Sequence, residues 1–281
     1  MKPIVALIAP GQMGAAVAKR LSENGLTVMT DLRERSSASV SRAKAAAMIS
    51  VSPENLCDAD IFLSIVPPSE AESLARRIAP ILRHAPKKPV YADCNAVSPR
   101  TACEIAAIIE TTGCAFVDAG IIGGPPKAGG PGPVFYLSGE KAPAVAELGA
   151  FGLDCRVLDG PAGAASALKL SYAGITKGLT ALGSVMILAA ARAGMADALH
   201  AELGNSQPAL LAWFERQIPS MFAKASRWVA EMEEIAEFVS ADEAAEELFI
   251  ANAHLYERLA ADFANAKAET GILAGFFAKA D

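Results

Sequence analysis

Along roughly the first 160 residues, short apolar runs alternate with longer stretches in which apolar side chains recur every three or four positions. The runs are PIVALIA (3–9), LTVMT (26–30), IFLSIV (61–66), PVYAD (89–93), AFVDAG (115–120) and VFYLSG (134–139). Runs of this length have the size of buried strands, and stretches such as 14–23 and 69–82 have helical period. Strand and helix in alternation imply parallel strands joined by crossover helices, so the pattern predicts an α/β doubly wound sheet.

After Asp159 the period changes. No β-branched run recurs, and apolar residues follow helical spacing almost to Asp281. Helices are expected over 162–193, 206–217, 220–239, 242–266 and 269–279, with breaks near Gly194, Gly204 and Pro219. The chain therefore reads as an α/β domain over 1–160 and an all-α domain over 161–281, joined through LDGPAG (158–163).

Composition narrows the class. A chain of 281 residues has room for two cores. Its 25 basic and 31 acidic residues give a net charge of −6 with no basic tract, which argues against a nucleic-acid groove. Cys57, Cys94, Cys103, Cys114 and Cys155 are scattered without a C-x-x-C pair or a neighbouring His cluster. No metal site and no disulfide framework are expected, and reduced thiols suit a cytoplasmic protein. The first apolar run is broken by Pro10, Gly11 and Gly14, so it reads as a strand and not as a signal peptide. The most membrane-like stretch, GLTALGSVMILAAARAG (178–194), has 14 uncharged residues between Lys177 and Arg192. A bilayer needs about 20, so a buried helix and no membrane partner are expected.

The first strand runs into IAPGQMGAAVAKRLSENG (8–25), with Gly11 and Gly14 at the start of a predicted helix. This is the G-x-G-x-x-G dinucleotide fingerprint with Ala9 at its first position. Gly11 lets backbone approach a pyrophosphate, Gly14 lets the helix pack on the sheet, and the helix N-terminus supplies amide donors. Ala9, Pro10, Gly11, Gln12 and Met13 are the expected contacts, and the fold becomes Rossmann-type. The alternative is a tight strand-to-helix turn that binds nothing.

The end of the second strand chooses between NAD and NADP. Asp31 lies 20 residues after Gly11, where a carboxylate accepts from a ribose 2′-hydroxyl, yet DLRERS also supplies Arg33, Arg35 and Ser36, suited to a 2′-phosphate. A charged surface turn is the plainer reading of the same residues. Ligands of such sheets bind at the carboxyl ends of the strands, which makes Val66, Pro67 and Asn95 candidate walls for a nicotinamide, although Pro67 and Pro68 also serve simply to stiffen a loop.

The segment GPAGAASALKLSYAGITKG (160–178) is almost wholly small and apolar, but it carries Lys169 and Lys177. It is the last of four motifs that occur in a telling order. APGQMG (9–14) comes first. DCNAVSP (93–99) matches D-x-S-T-x-x-P, with Asn95 and Ala96 where hydroxyl residues usually stand. DAGIIGG (118–124) matches D-A-P-V-S-G-G, with Gly123 and Gly124 in place and Ile122 for the substrate-binding serine. The fourth matches G-x-x-G-x-G-x-x-x-K-x-x-x-N. Gly160, Gly163 and Lys169 are in register, Ala165 replaces a glycine and Ala173 the asparagine.

Over essentially its whole length the chain resembles the β-hydroxyacid dehydrogenase superfamily, which includes 6-phosphogluconate and 3-hydroxyisobutyrate dehydrogenases. It is most similar to a branch named after the nucleotide domain of the former, with its own helical C-terminal domain. The resemblance implies that Lys169 is the catalytic general acid/base, its proton affinity lowered by an apolar helix. A lysine snorkelling out of a core helix is the alternative. It also implies that Asn95, Ile122, Gly123 and Gly124 line the substrate. Tyr172, Thr176 and Lys177 share a helix face with Lys169 and are candidates to replace the missing asparagine. Arg227, Trp228, Glu231 and Glu234 cluster on another helix, either at an active site or in surface and interface contacts.

The implied activity is hydride transfer between a nicotinamide and a small hydroxy or carbonyl compound. Imine reduction is an alternative that Lys169 counts against, and a catalytically idle NADP-binding sensor or interaction protein is another. Counting without gaps from Gly11 puts the family's discriminating position at Leu32 and its arginine at Arg33, so NADP is expected ahead of NAD. The helical domain carries Trp213, Phe214, Phe222, Trp228 and Phe238, more apolar surface than one small bundle readily buries, and a homodimer through it is expected.

Overall fold

The computed structural model describes residues 2–126 and 130–278. The chain clusters into two compact units, Met1–Leu170 and Ser171–Asp281. The first holds an eight-stranded sheet. Its strands are β1 (Ile4–Ile8), β2 (Thr27–Thr30), β3 (Ile49–Ser50), β4 (Ile61–Ser64), β5 (Val90–Asp93), β6 (Phe116–Ile122), β7 (Val134–Ser138) and β8 (Asp154–Val157). They lie in the order β3-β2-β1-β4-β5-β6-β7-β8. Crossovers are α1 (Gln12–Glu23), α2 (Ser37–Ala45), α3 (Pro68–His84), α4 (Pro99–Glu110) and the short α5 (Ala142–Ala146). This is a Rossmann-like fold.

All neighbouring strands pair in parallel except β6 and β7, which are antiparallel. This pair departs from the parallel pattern that the alternation implied. The connection GGPPKAGGPGP (123–133) is too rich in helix breakers to form a crossover, so the chain returns beside the strand it left. Two strands lack the apolar runs that would have announced them. β3 is only two residues long, and β8 (DCRV) is a largely exposed edge strand whose charged residues replace an apolar run.

Both sheet faces are covered. Val5, Leu7, Val28 and Leu63 pack into one core and Ala6, Ile8, Phe62 and Tyr91 into the other, which is why the central strands are apolar without alternation. Tyr91 stacks between Phe62 and Phe116, with centroids 5.1 and 6.2 Å away.

A long helix, α6 (Ala164–Arg192), starts in the first unit and continues into the second. There it is followed by α7 (Ala196–Ser206), α8 (Pro208–Met221), α9 (Ala225–Phe238), α10 (Glu243–Ala264) and α11 (Ala268–Phe277). The break at Gly194 is present. Gly204 instead lies inside α7, and Pro219 sits in the last turn of α8; the break after α8 is the 3₁₀ turn 222–224. α7 escaped the sequence reading because it buries none of its residues and so shows little apolar period. Position 279, the expected end of the last helix, lies outside the described residues.

Candidate active site

Gly11 is the N-cap of α1, and among the described residues no side chain caps that helix. A Cβ built on Gly11 would meet nothing within 4 Å, whereas one on Gly14 would lie 2.1 Å from the Ala9 carbonyl oxygen. Gly14 is therefore required for α1 to approach the loop. The backbone over Ala9, Pro10, Gly11, Gln12 and Met13 opens beside unsatisfied helix amides, an arrangement that suits the pyrophosphate of a dinucleotide.

At the end of β2 the two conflicting signals meet each other. The Arg33 guanidinium donates from Nε to Asp31 Oδ1 and from Nη2 to Asp31 Oδ2, both at 3.1 Å, and the Arg33 amide adds a third bond at 3.0 Å. Burial raises the Asp31 carboxyl's proton affinity, but the Arg33 bonds and the Arg33 and Arg35 charges outweigh it and bring the pKa below the usual carboxylate value. Ser36 caps α2 by accepting from the Ser39 amide at 3.2 Å. Arg42, a residue the sequence reading missed, donates to the Ser39 hydroxyl and to the Pro10 carbonyl, each at 3.0 Å. It ties α2 to the nucleotide loop; only its position one turn after Ser39 hinted at this.

The carboxyl ends of β4 and β5 and the middle of β6 carry a buried polar cluster. Asn95 accepts at Oδ1 from the Val66 amide at 2.6 Å and donates from Nδ2 to Ser64 Oγ at 2.8 Å and to Asp93. The loop at Val66 and Pro67 is thus pinned to the loop after β5. Asp93 and Asp118 are Cα partners on adjacent strands, so their side chains share a face. Asp118 accepts from the amides of Gly163 and Ser166, each at 2.9 Å, from Ser138 Oγ at 3.1 Å and from Ser166 Oγ at 2.6 Å. It caps the start of α6.

That cap sets the depth of Lys169. One turn into α6, Lys169 places its Cβ 3.1 Å from where a side chain on Gly120 would begin, and the Ala165 carbonyl oxygen is closer still at 2.7 Å. Only glycine at 120 lets the helix lie this close on β6. Lys169 is half-buried, and its charge favours the ionised form of Asp93. Ile122 follows two residues after Gly120 on the same face of β6, and Gly123 and Gly124 continue from the strand end. The roles of Asp118 and Gly120 depend on a contact between β6 and α6 that no motif spelled out.

The remaining candidates lie in the second unit. Tyr172 is exposed, and the Thr176 hydroxyl donates to the Tyr172 carbonyl of its own helix at 2.9 Å. Lys177 pairs with Glu231 between largely buried side chains, its ammonium 5.0 Å from the centre of the Trp228 ring. Burial lowers its pKa and Glu231 opposes the shift. The Tyr256 hydroxyl donates to the Lys177 carbonyl at 2.5 Å and its ring meets Trp228 edge-on. Of the α9 cluster, Trp228 and Glu231 thus hold Lys177, while Arg227 reaches Glu231 only at 4.0 Å.

Residues 4–151 match the NAD binding domain of 6-phosphogluconate dehydrogenase, and residues 190–259 match a domain of unknown function, DUF1932. No curated protein sequence matches the chain. Among solved structures, a conserved protein of unknown function described as structurally similar to 3-hydroxyacid dehydrogenases aligns with TM-score 0.73 and 26% identity, over 96% of this chain and 98% of the other. A 3-hydroxyisobutyrate dehydrogenase of Mycobacterium tuberculosis with L-serine aligns with TM-score 0.74 and 20% identity over 100% of both chains. An imine reductase variant from Myxococcus stipitatus in complex with NAD+ aligns with TM-score 0.60 and 19% identity, over 98% of this chain and 99% of the other.

Proposed function

The chain belongs to the family built on the NAD binding domain of 6-phosphogluconate dehydrogenase, and from that premise we propose that it is an NADP(H)-dependent oxidoreductase of a hydroxy or carbonyl compound, with Lys169 as its general acid/base. The reading rests on one observation: the Asp118 cap and the close approach at Gly120 hold Lys169 against β6, where its charge reaches the buried Asp93. A bound nicotinamide supplies or takes up the hydride. In reduction the Lys169 ammonium gives a proton to the substrate oxygen; in oxidation its amine takes the hydroxyl proton. Asn95 holds the Val66 amide and so shapes the wall beside that reaction.

NADP is preferred to NAD because the Asp31 carboxylate at the end of β2 is already paired with Arg33, while Arg35 and Ser36 stand in the same segment as donors suited to a 2′-phosphate. Ile122 and Ala173 offer no side-chain hydrogen bond where the family's serine and asparagine stand, which favours a substrate with an apolar portion over 3-hydroxyisobutyrate or 6-phosphogluconate. On its five cysteines, scattered without a paired spacing, we take the protein to be cytoplasmic. The active species is taken to be a homodimer.

The test is turnover of NADPH and NADH with a panel of aldehydes, keto acids and imines, in the wild type and in Lys169→Ala. The expected outcome is a carbonyl substrate reduced preferentially with NADPH. Lys169→Ala should lower turnover by roughly 10²–10⁴ and leave nucleotide affinity nearly unchanged. A variant retaining most of the wild-type turnover would remove Lys169 from the chemistry. Reduction confined to imines would favour the imine-reductase reading, and no turnover at all the idle one.

A further inference from the structure

Asp93 is a buried carboxyl that this reading leaves without a task. It is 1% exposed at the end of β5. Its Oδ1 accepts from the Asn95 amide at 3.0 Å and from the Asn95 side chain, whereas among the described residues Oδ2 has no hydrogen-bond donor. A carboxylate oxygen inside a protein without a donor is costly unless a positive charge compensates it or a proton neutralises it. The ionisable groups facing it come from three elements. Tyr91 lies on its own strand and Cys94 follows it in the chain, and burial first, then the Asp93 charge, pushes both well above their ordinary values, so neither contributes charge. Asp118 stands beside it on β6, but four donors already occupy that carboxylate and commit it to the start of α6. Among the described residues, a cation whose charge reaches it is Lys169 on α6, whose Cβ lies 3.1 Å from the Cβ position of Gly120, two residues beyond Asp118 on the same face of β6.

We propose that Asp93 is a positioning residue for the reaction, coupled to Lys169 so that the two ionise as one unit and Asp93 sets the pH range over which the lysine holds its proton. The inference rests on Lys169 being the acid/base group. Burial pushes the Asp93 carboxyl up to about 7; the Asn95 bond works against this, Asp118 adds to it, and the Lys169 charge pulls it back. A carboxyl poised there responds to its neighbour. While Lys169 is an ammonium the Asp93 carboxylate is favoured, and that carboxylate in turn retains the ammonium. When Lys169 has passed its proton to a substrate oxygen, with N–H broken and O–H formed, the neutral carboxyl of Asp93 is favoured instead.

The first test needs neither cofactor nor turnover. In protein labelled with carbon-13 at aspartate carboxyls, one resonance absent from Asp93→Asn should titrate near neutral pH. In Lys169→Met, which keeps length and loses charge, its midpoint should rise by about one pH unit, a tenfold change in acid constant. A midpoint unmoved in Lys169→Met, or an Asp93 carboxyl that does not titrate between acid and alkaline pH, overturns the coupling. The second test covers the case in which Lys169→Met does not fold: in Asp93→Asn the pH midpoint of kcat should move by about one unit with KM nearly unchanged. A profile that only loses height, with its midpoint in place, marks Asp93 as merely structural and also overturns the proposal. Should no substrate turn over, the Lys169 assignment fails while the titration still decides the pair. Should turnover depend on Lys169 with no coupling found, only the role of Asp93 falls.

Discussion

At the scale of single residues, the same carboxyl makes a prediction about stability. The Asp93 pKa in the fold is raised to about 7, against about 3.9 for an aspartate in an unfolded chain. The native state therefore holds this proton more tightly than the unfolded state does. That contribution to stability is fully present below about pH 4 and is lost as pH rises through about 7. Asp93→Asn keeps the Oδ1 acceptor that Asn95 uses and removes the titration. Thermal melts should show the variant gaining on the wild type between about pH 4 and 8, by at most about 4 kcal/mol. A difference that stays constant with pH would place the Asp93 proton affinity near its ordinary value in the fold. Residues of this kind were only half legible. Lys169, Asn95, Gly11 and Gly14 stood in motifs, so their places could be counted. The Asp93 Oδ2 without a donor among the described residues, the Asp31–Arg33 pair and the Arg42 tie to Pro10 arise from side chains meeting after folding, and no spacing encodes them.

At the scale of elements, the contact of β6 with the first turns of α6 carries the candidate site. Alanine at Gly120 would place its Cβ 2.7 Å from the Ala165 carbonyl oxygen, and because that atom is backbone inside a capped helix, the helix must move. The expected cost is about 1–3 kcal/mol in urea unfolding. Turnover should fall by an order of magnitude or more, because Lys169 rides on the turn that is displaced. Unaltered stability together with full turnover would mean that α6 does not lie this close. Which elements exist was readable wherever a core demands apolar residues: the six strands expected from their runs are β1, β2, β4, β5, β6 and β7. It was unreadable where an element is exposed. β8 pairs along the edge with charged Asp154 and Arg156, and α7 buries nothing, so neither needed an apolar signature. The antiparallel pairing of β7 with β6 goes with a connecting sequence rich in Gly and Pro, whose signal the regular alternation on either side obscures.

At the scale of the whole molecule, α6 poses a question of assembly. By length and composition it is apolar enough to cross a membrane, yet one side of it packs within the second unit, where Phe249 lies over Gly174 and Phe214 over Gly183. The other side is left apolar and open. Tyr172, Ile175, Leu182 and Met186 are 52%, 72%, 59% and 54% exposed, with the partly buried Leu179 between them. Their spacings of three and four residues form a straight seam along about 20 Å of helix, the pattern by which one helix packs against another like itself. A second copy of this chain is the occupant such a seam fits, since a two-fold axis brings the same stripe to both sides. Light scattering should therefore give twice the 29.0 kDa chain mass at micromolar concentration. Ile175→Glu, which puts a charge on the most exposed of these side chains, should shift the mass to that of a monomer while far-UV circular dichroism stays the same. A wild type that is monomeric at that concentration, or a variant that remains dimeric, would remove the seam from the interface.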